Sequence, residues 1–171
     1  NNIYAYKMLE KAYTEGKIKA LGGSNFSIAQ LQEIIDQCEI VPAIMQVECH
    51  PYYPAEKVYD FCKEKGIVLQ AWYPLGHGNA DLLKEPILVE LAKKYNKSAV
   101  QIVLRWHLQM GFGFVPGSKS PDHIASNVNI FDFTLTDEEM KQISSLNKHE
   151  PFYKSTPESL QRLATTKCNF E

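Results

Sequence analysis

Residues 41–72 read VPAIMQVECHPYYPAEKVYDFCKEKGIVLQAW, and this stretch decides the fold. Its runs Val41–Val47 and Ile67–Trp72 predict two buried strands, because their apolar residues are nearly continuous. Between them, apolar side chains at helical spacing predict a helix that begins near Ala55 and stops at Gly66. A strand, a helix and a second strand in this order are typical of a parallel sheet.

The same alternation extends in both directions along the chain. A helix is predicted over residues 3–15, and further strands over Ile18–Leu21, which ends at Gly22-Gly23, and over Phe112–Val115. Further helices are predicted over residues 86–94, 98–110, 121–127 and 136–146. Thr136 and Glu139 form a capping box for the last of these helices. The class is therefore α/β.

Two architectures fit this order of elements. The first two strand-to-strand spacings are about 25 residues, close to the roughly 30 residues per unit of a (β/α)8 barrel. Four such units cannot close that barrel, so the chain would form a half-barrel with additional C-terminal helices. A three- or four-strand flavodoxin-like sheet is the alternative. The helix that precedes the first strand favours the barrel fragment, since a doubly wound domain more often begins with a strand.

Length and charge narrow the class of partner. The chain has 171 residues, with 18 basic against 20 acidic side chains and a formal net charge of -2. These values and the 44% hydrophobic content predict a single domain over residues 1–171 and exclude disordered and fibrous classes. The even charge balance gives no reason to expect a nucleic-acid or membrane partner, so we expect a small molecule. The N-terminal sequence lacks the pattern of a secretory signal, and we expect a cytoplasmic protein.

The cysteine and histidine patterns argue against a disulfide framework and a metal site. The chain has four cysteines without a C-x-x-C pair, which we expect to be reduced: Cys38, Cys49, Cys62 and Cys168. The five histidines are scattered without ligand spacing, so we expect no metal. The sequence contains no Walker loop, G-x-G-x-x-G or G-x-S-x-G motif.

The residues that follow the strands are the candidates for ligand contact, because both architectures bind ligands at the carboxyl ends of their strands. Ser24 and Asn25 follow the first strand and fit either a plain turn with a helix cap or a ligand contact. Gln46 and Glu48 alternate with Val at the end of the second strand, where an amide side chain can bind an amide. They equally fit a strand end that turns polar as it leaves the core.

The third and fourth strands end in aromatic and cationic residues. Trp72 can stack on a planar heterocycle, and the Pro74–Gly78 loop can present N–H groups to phosphate; core packing is the alternative for both. The segment Ser118–His123 leads into a predicted helix, whose N-terminus favours an anion. A simple Pro/Ser turn also explains that segment.

Several motifs resemble, in order and spacing, those in the C-terminal half of an aldo-keto reductase. They are GKIKALGGSNF, QVECHPYY, AWYPLG, VLRWHLQ, VPGSKSPDHIASN and IFDFTLTDEEM, and together they extend from about Glu15 to Leu146. The resemblance implies a (β/α)8 barrel of the TIM type, of which this chain covers roughly the last four units. It makes residues 1–15 the helix before the fifth strand and residues 147–171 the C-terminal tail. It also implies an oxidoreductase that transfers hydride from NAD(P)H to an aldehyde or ketone.

The resemblance implies that four residues contact the nicotinamide. By position, Ser24, Asn25 and Gln46 correspond to the residues that hydrogen-bond the nicotinamide carboxamide. Trp72 falls where the family places an aromatic ring stacked on the nicotinamide.

Six further residues have implied roles at the rest of the cofactor. Leu75 and Gly76 fall in the loop that passes over the pyrophosphate. The segment that holds the adenosine end contains Ser118, Lys119, His123 and Asn127.

Two departures from the family pattern bear on the cofactor. Gly117 stands where the family usually has a Lys that pairs with the 2'-phosphate, and His123 stands where Arg is typical. Losing both cations weakens the preference for NADP over NAD, although Lys119 can compensate. We therefore expect NADP, with NAD as the alternative.

The resemblance assigns no catalytic residue to this chain. The family's catalytic Tyr, Lys, Asp and His lie on the first four strands, and none of the nine Tyr here stands in that context. We therefore expect the chain by itself to be inactive. The alternative is a non-catalytic half-barrel that acts as a binding module or forms a homodimer through exposed sheet edges. The tail from Glu150 to Glu171, which contains Phe152 and Tyr153, forms either a pocket wall or a packing strap.

Overall fold

Four parallel strands form one sheet in the computed structural model of the protein, which describes residues 2–153, 156 and 158. They are β1 (Gly22–Ser24), β2 (Ile44–Glu48), β3 (Val68–Trp72) and β4 (Gly113–Phe114). Each strand pairs in parallel with the next one along the chain, in the order β1-β2-β3-β4. A doubly wound sheet reverses its strand order at a switch point, whereas a barrel does not. The prediction of a half-barrel is therefore confirmed.

Helices connect the strands and follow the last one. The described residues form α1 (Asn2–Thr14), α2 (Ile28–Gln37), α3 (Glu56–Glu64), α4 (Pro86–Tyr95), α5 (Ala99–Gln109), α6 (Pro121–Val128) and α7 (Asp137–Ser144). Two short 3-10 helices, Gly76–Gly78 and Leu82–Lys84, follow β3. The predicted helices are confirmed, with small differences at their ends.

Capping boxes mark where three helices begin. They pair Ser27 with Gln30 at α2, Ser98 with Gln101 at α5, and Thr136 with Glu139 at α7. In each box the cap hydroxyl accepts a backbone N–H of the first turn, and the later side chain accepts the N–H of the cap residue. Two N–H groups that lack a partner within the helix are thereby satisfied. The box predicted at Thr136 is confirmed.

The prediction of a first strand over Ile18–Leu21 is wrong. β1 begins at Gly22, and the two glycines expected to open a loop belong to the strand. A Cβ on Gly22 would lie 2.4 Å from Ile44 Cγ2 and 2.7 Å from the Ile44 carbonyl oxygen. A residue without a side chain is needed for β1 to approach β2 this closely. The second strand also differs, because it begins at Ile44 and not at Val41.

One face of the sheet is buried under helices. Met45 and Val47 of β2 and Leu69 and Ala71 of β3 are buried there in the main hydrophobic core. Trp106 of α5 is fully buried in the same core. Burial of a large apolar side chain contributes about 1.5–3 kcal/mol, so this face provides most of the favourable packing energy of the sheet.

The opposite face of the sheet is partly open. It carries the alternate residues of the same strands, among them Gln46, Val68 and Gln70, since successive side chains of a strand point to opposite faces. Val68 is 51% exposed. Gln46 Nε2 donates a hydrogen bond to Gln70 Oε1 at 2.5 Å, which joins β2 to β3 on this face. Parallel sheets usually have both faces covered. In the described part of the chain, helices cover only one face of this sheet.

We expect Gly22→Ala to lower the free energy of unfolding by about 1–3 kcal/mol, because the new methyl group would overlap the Ile44 backbone. Urea unfolding measures the change. The matched control is Gly113→Ala in β4, whose Cβ would meet Gln70 Cγ at an ordinary 3.5 Å. Equal effects of the two substitutions would contradict the close approach of β1 to β2.

Candidate functional site

A groove with a volume of about 720 Å³ lies at the carboxyl ends of β1, β2 and β3. Its lining includes Ser24, Asn25, Glu48, Trp72, Pro151 and Tyr153. The volume falls within the range of roughly 300–1,000 Å³ that is typical of small-molecule sites. Because parallel strands all end at one edge of the sheet, residues from three separate loops meet in this groove.

Asn25 holds the indole of Trp72 at the groove. Asn25 has a φ of 57°, in the left-handed region that Asn tolerates better than most residues. Its backbone N–H donates to the Gln46 carbonyl at 2.9 Å, and its Oδ1 accepts the Trp72 Nε1–H at 2.8 Å. β1 and β3 are not neighbours, so this side-chain bond spans the end of β2 and fixes the orientation of the indole.

Ser24 and Gln46 are register partners in β1 and β2. Ser24 is exposed and lines the groove, whereas Gln46 is half-buried on the open face of the sheet and does not line it. The Gln46 Nε2 is engaged with Gln70, and no described residue donates a hydrogen bond to Gln46 Oε1. Gln46 therefore retains one acceptor near the carboxyl end of β2.

Leu75 and Gly76 lie beside the groove and not in it. Leu75 packs against the hydrophobic core. Gly76 is buried with a φ of 62°, and a Cβ there would lie 2.9 Å from Phe152 Cε2 and 3.0 Å from Leu82 Cδ2. Gly76 thus provides space for Phe152 of the C-terminal segment, a contact that the sequence analysis did not anticipate.

Three of the four residues predicted for the adenosine end, Ser118, Lys119 and His123, lie around the start of α6, and Asn127 lies near the C-terminal end of that helix. Ser118 Oγ accepts the Ser120 N–H at 3.1 Å, and Ser120 Oγ accepts the His123 N–H at 3.4 Å. The side chains of Lys119 and His123 are exposed, and Asn127 is half-buried. None of these residues lines the groove, so the structure separates them from Ser24, Asn25 and Trp72.

Glu48 and His50 form a buried polar pair; the sequence analysis named Glu48 as a candidate at the end of the second strand but did not predict its pairing with His50. Glu48 is 5% exposed and His50 is fully buried, with His50 Nε2 3.1 Å from Glu48 Oε1. Burial lowers the pKa of His50, and the hydrogen bond with Glu48 acts in the opposite direction. Among the described residues His50 Nδ1 has no hydrogen-bond partner. The one signal in the sequence was the polar residue alternating with Val at the end of β2.

No disulfide joins the cysteines that the structure describes, and their reduced state stays a prediction. Cys38, Cys49 and Cys62 are free, and Cys168 lies outside the described residues. Burial raises the pKa of the Cys49 thiol, and it raises the pKa of Cys62 to about 11. A thiol of raised pKa is a poor nucleophile, so Cys49 and Cys62 act as apolar packing groups.

Across residues 2–153 and the two further described positions, no three His, Cys, Asp or Glu side chains are grouped so that they could hold a metal ion. No described helix has the length and apolar composition needed to cross a bilayer.

Comparison with known proteins identifies the family. A sequence profile described as "Aldo/keto reductase family" matches residues 3–148. The chain belongs to the aldo/keto reductase family. It is 45% identical over 147 residues to the 9,11-endoperoxide prostaglandin H2 reductase of Trypanosoma cruzi, covering 85% of this chain and 52% of that protein. It is 44% identical over 145 residues to the glyoxal reductase of Bacillus subtilis, again covering 85% and 52%.

A solved structure supports the same family and fold. The aldo-keto reductase of Bombyx mori, in complex with NADP, superimposes with a TM-score of 0.82 at 31% sequence identity. The match covers 86% of this chain and 51% of that one. The chain therefore spans about half the length of the aldo/keto reductases that it matches, in agreement with the half-barrel architecture.

We expect the stability of the protein to fall as the pH drops below the pKa of an unfolded histidine. His107 is fully buried in α5, between the Val103 and Cys49 carbonyl oxygens, and burial lowers its pKa to about 4. The unfolded imidazole, with a pKa of about 6.5, binds a proton at pH 5 that the folded one does not. The stabilisation is complete above about pH 6.5 and disappears toward pH 4; between pH 7.5 and 5, His107 should account for a loss of about 2 kcal/mol.

Urea unfolding at pH 7.5 and pH 5 measures this loss. In His107→Gln the difference between the two pH values should shrink by that amount, while the contribution of buried His50 remains. The matched control is His123→Gln, which removes an exposed imidazole of α6 and should keep the pH dependence of the unsubstituted chain. A pH dependence that His107→Gln leaves unchanged would rule out this role for His107.

Proposed function

We propose that this chain is the cofactor-binding half of an NAD(P)H-dependent aldo-keto reductase that reduces an aldehyde or ketone to an alcohol. The observation that supports it is the Trp72 indole, held by Asn25 at a groove where three strand ends meet. An aromatic face next to hydroxyl and amide groups matches the chemistry of a nicotinamide, which has a flat ring and a carboxamide.

The donors and acceptors at the groove suit a carboxamide. Asn25 uses its Oδ1 for Trp72, which leaves its Nδ2 to donate to the carboxamide oxygen. Gln46 uses its Nε2 for Gln70, which leaves its Oε1 to accept from the carboxamide N–H2. The Ser24 hydroxyl can serve either role. When bound, the reduced nicotinamide supplies the hydride, and these residues set the face of the ring that it presents.

We assign the rest of the cofactor to the remaining predicted residues. Leu75 and Gly76 belong to the segment next to the pyrophosphate. The adenosine end belongs to four residues in α6 and just before it: Ser118, Lys119, His123 and Asn127. The exposed Lys119 ammonium is the cation available for a 2'-phosphate, since Gly117 has no side chain there. We therefore propose NADP as the cofactor, with weak discrimination against NAD.

The chemistry of carbonyl reduction needs a general acid within hydrogen-bond reach of the carbonyl oxygen. The resemblance places that acid in the first half of the family's barrel, which this chain does not match. We propose that the 171-residue chain alone binds cofactor without turnover and that its substrate is a small carbonyl compound. We also propose a cytoplasmic location without a nucleic-acid partner; the cysteine spacing and the even charge balance of the sequence support this proposal.

A second candidate function rests on the open sheet. β1 and β4 each pair on one side only, which leaves two unpaired edges in the described sheet. Exposed apolar side chains occur on the helix that precedes β1 and on the helix that follows β4: Tyr4 and Met8 on α1, and Ile124 and Val128 on α6. A homodimer in which β4 of one copy pairs with β1 of the other would cover these edges.

We expect Gln46→Ala to weaken NADPH binding about 5- to 30-fold, the equivalent of about 1–2 kcal/mol for one lost hydrogen bond. Quenching of Trp72 fluorescence during an NADPH titration measures the affinity. Gln32→Ala, on the exposed surface of α2, is the matched control and should bind like the unsubstituted chain. No binding at millimolar NADPH would contradict the proposed function, and NADPH oxidation with an added aldehyde would contradict the expected inactivity.

If the chain dimerises, light scattering should give twice the mass of one chain at micromolar concentration. Val128→Lys should then shift the equilibrium toward the single chain, because it puts a charge on the apolar face of α6. Val89→Lys on α4 is the control, since Val89 is exposed but lies on a different helix. The mass of a single chain at every concentration would eliminate the second candidate.

A further inference from the structure

The segment Pro151–Tyr153 follows α7 in the chain and lies at the edge of the groove. We call these three residues the strap. Pro151 and Tyr153 line the groove. Phe152 lies between them, with its ring centroid 4.7 Å from that of His50. The ring edge also meets Gly76, where a side chain would displace it. The strap is therefore seated in a position shaped for it.

One carboxylate holds the strap in place. Glu48 Oε1 accepts the Phe152 N–H at 2.6 Å, and Glu48 Oε2 accepts the Tyr153 N–H at 3.0 Å. Glu48 Oε1 also lies 3.1 Å from His50 Nε2, which donates to it. Hydrogen bonds to an ionised acceptor are short and about twice as strong as neutral ones, and both oxygens of this nearly buried carboxylate are used.

The strap also completes the environment of Glu48. None of the hydrogen bonds that Glu48 makes to described residues comes from Lys or Arg. Its charge is therefore stabilised by two backbone N–H groups of the strap and by His50. When the strap leaves, water can replace those two N–H groups as hydrogen-bond donors. Undocking therefore does not leave the Glu48 carboxylate buried without a hydrogen-bond partner. This makes the contact reversible, unlike the apolar core beneath it.

The docked strap contacts the wall of the groove. The Tyr153 ring meets the Trp72 indole edge to face, with centroids 5.8 Å apart and an angle of 75° between the rings. Access to the indole on that side therefore depends on where Tyr153 lies. Glu48 sets that position through the Tyr153 N–H.

We infer that Glu48 is a positioning residue that clasps the strap over the groove and thereby controls the exchange of the ligand seated against Trp72. This inference rests on the proposed function for the identity of that ligand, a reduced nicotinamide cofactor. Its structural part, the clasp and the access to Trp72, stands on the hydrogen bonds of Glu48 and on the ring contact between Tyr153 and Trp72. Weakening the clasp should open the groove more often and speed both entry and release of the cofactor.

The test compares Glu48→Ala and Glu48→Gln with Glu33→Gln, an exposed carboxylate of α2, as the matched control. Without cofactor, hydrogen exchange of the Phe152 and Tyr153 amides should be at least tenfold faster in Glu48→Ala. It should be intermediate in Glu48→Gln, whose side-chain carbonyl still accepts one N–H. The exchange of α5 amides should be unchanged, which shows that the variants remain folded.

Access to the groove is measured by acrylamide quenching of tryptophan fluorescence, since Trp106 is fully buried and Trp72 reports on the groove. Quenching of Trp72 should at least double in Glu48→Ala. Tyr153→Ser provides an independent variant: it should increase quenching without accelerating exchange of the Phe152 amide. Equal amide exchange or equal quenching in Glu48→Ala and the unsubstituted chain would overturn the clasp, whether or not NADPH binds.

Stopped-flow release of NADPH then tests the control of exchange. We expect at least a fivefold faster dissociation in Glu48→Ala than in the unsubstituted chain, and no change in Glu33→Gln. Binding with an unchanged dissociation rate would overturn the role in exchange while leaving the proposed function intact. Failure of the unsubstituted chain to bind NADPH would overturn the proposed function, and amide exchange and quenching would still decide the clasp.

Discussion

Parallel hydrogen bonding between successive strands is the constraint on which the rest of this structure depends. Because β1 to β4 run in the same direction and in chain order, all their carboxyl ends lie at one edge of the sheet. Residues that are far apart in sequence therefore meet there without any special arrangement of the loops. The register of β1 on β2 requires glycine at position 22, where the Ile44 backbone leaves no room for a side chain.

The packed part of the sheet and the candidate site are separate: the packing lies on one face of the sheet, and the candidate site lies at its carboxyl edge. The face that carries Met45 and Leu69 is buried under helices and provides the packing energy. The carboxyl edge carries polar groups that hydrogen-bond one another, as the bond between Asn25 and Trp72 shows. A side chain fixed in this way is already oriented before a ligand arrives, which lowers the entropic cost of binding.

The length of the match to the family and the uncovered face of the sheet both reflect the half-barrel architecture. The chain belongs to the aldo/keto reductases but spans about half the length of those it matches. A half-barrel leaves one face of the sheet uncovered, and Val68 is exposed on that face. In a closed barrel such a face points to the interior, where side chains from other strands fill the space. The carboxyl edge, in contrast, already contains its own interacting groups.

The sequence by itself determined the α/β class, the order of the strands and helices, and the strand ends at which Ser24, Asn25, Gln46 and Trp72 lie. Hydrophobic periodicity and capping patterns are local, and they report local structure well. Only the tertiary structure decided that Gly22 belongs to a strand, that Asn25 bonds Trp72, and that Glu48 holds the backbone of Phe152. Glu48 and Phe152 are 104 positions apart, and no local pattern records which distant N–H a buried carboxylate will accept. Such pairings arise from the packing of the whole chain, because each group takes the partner that the fold brings within reach.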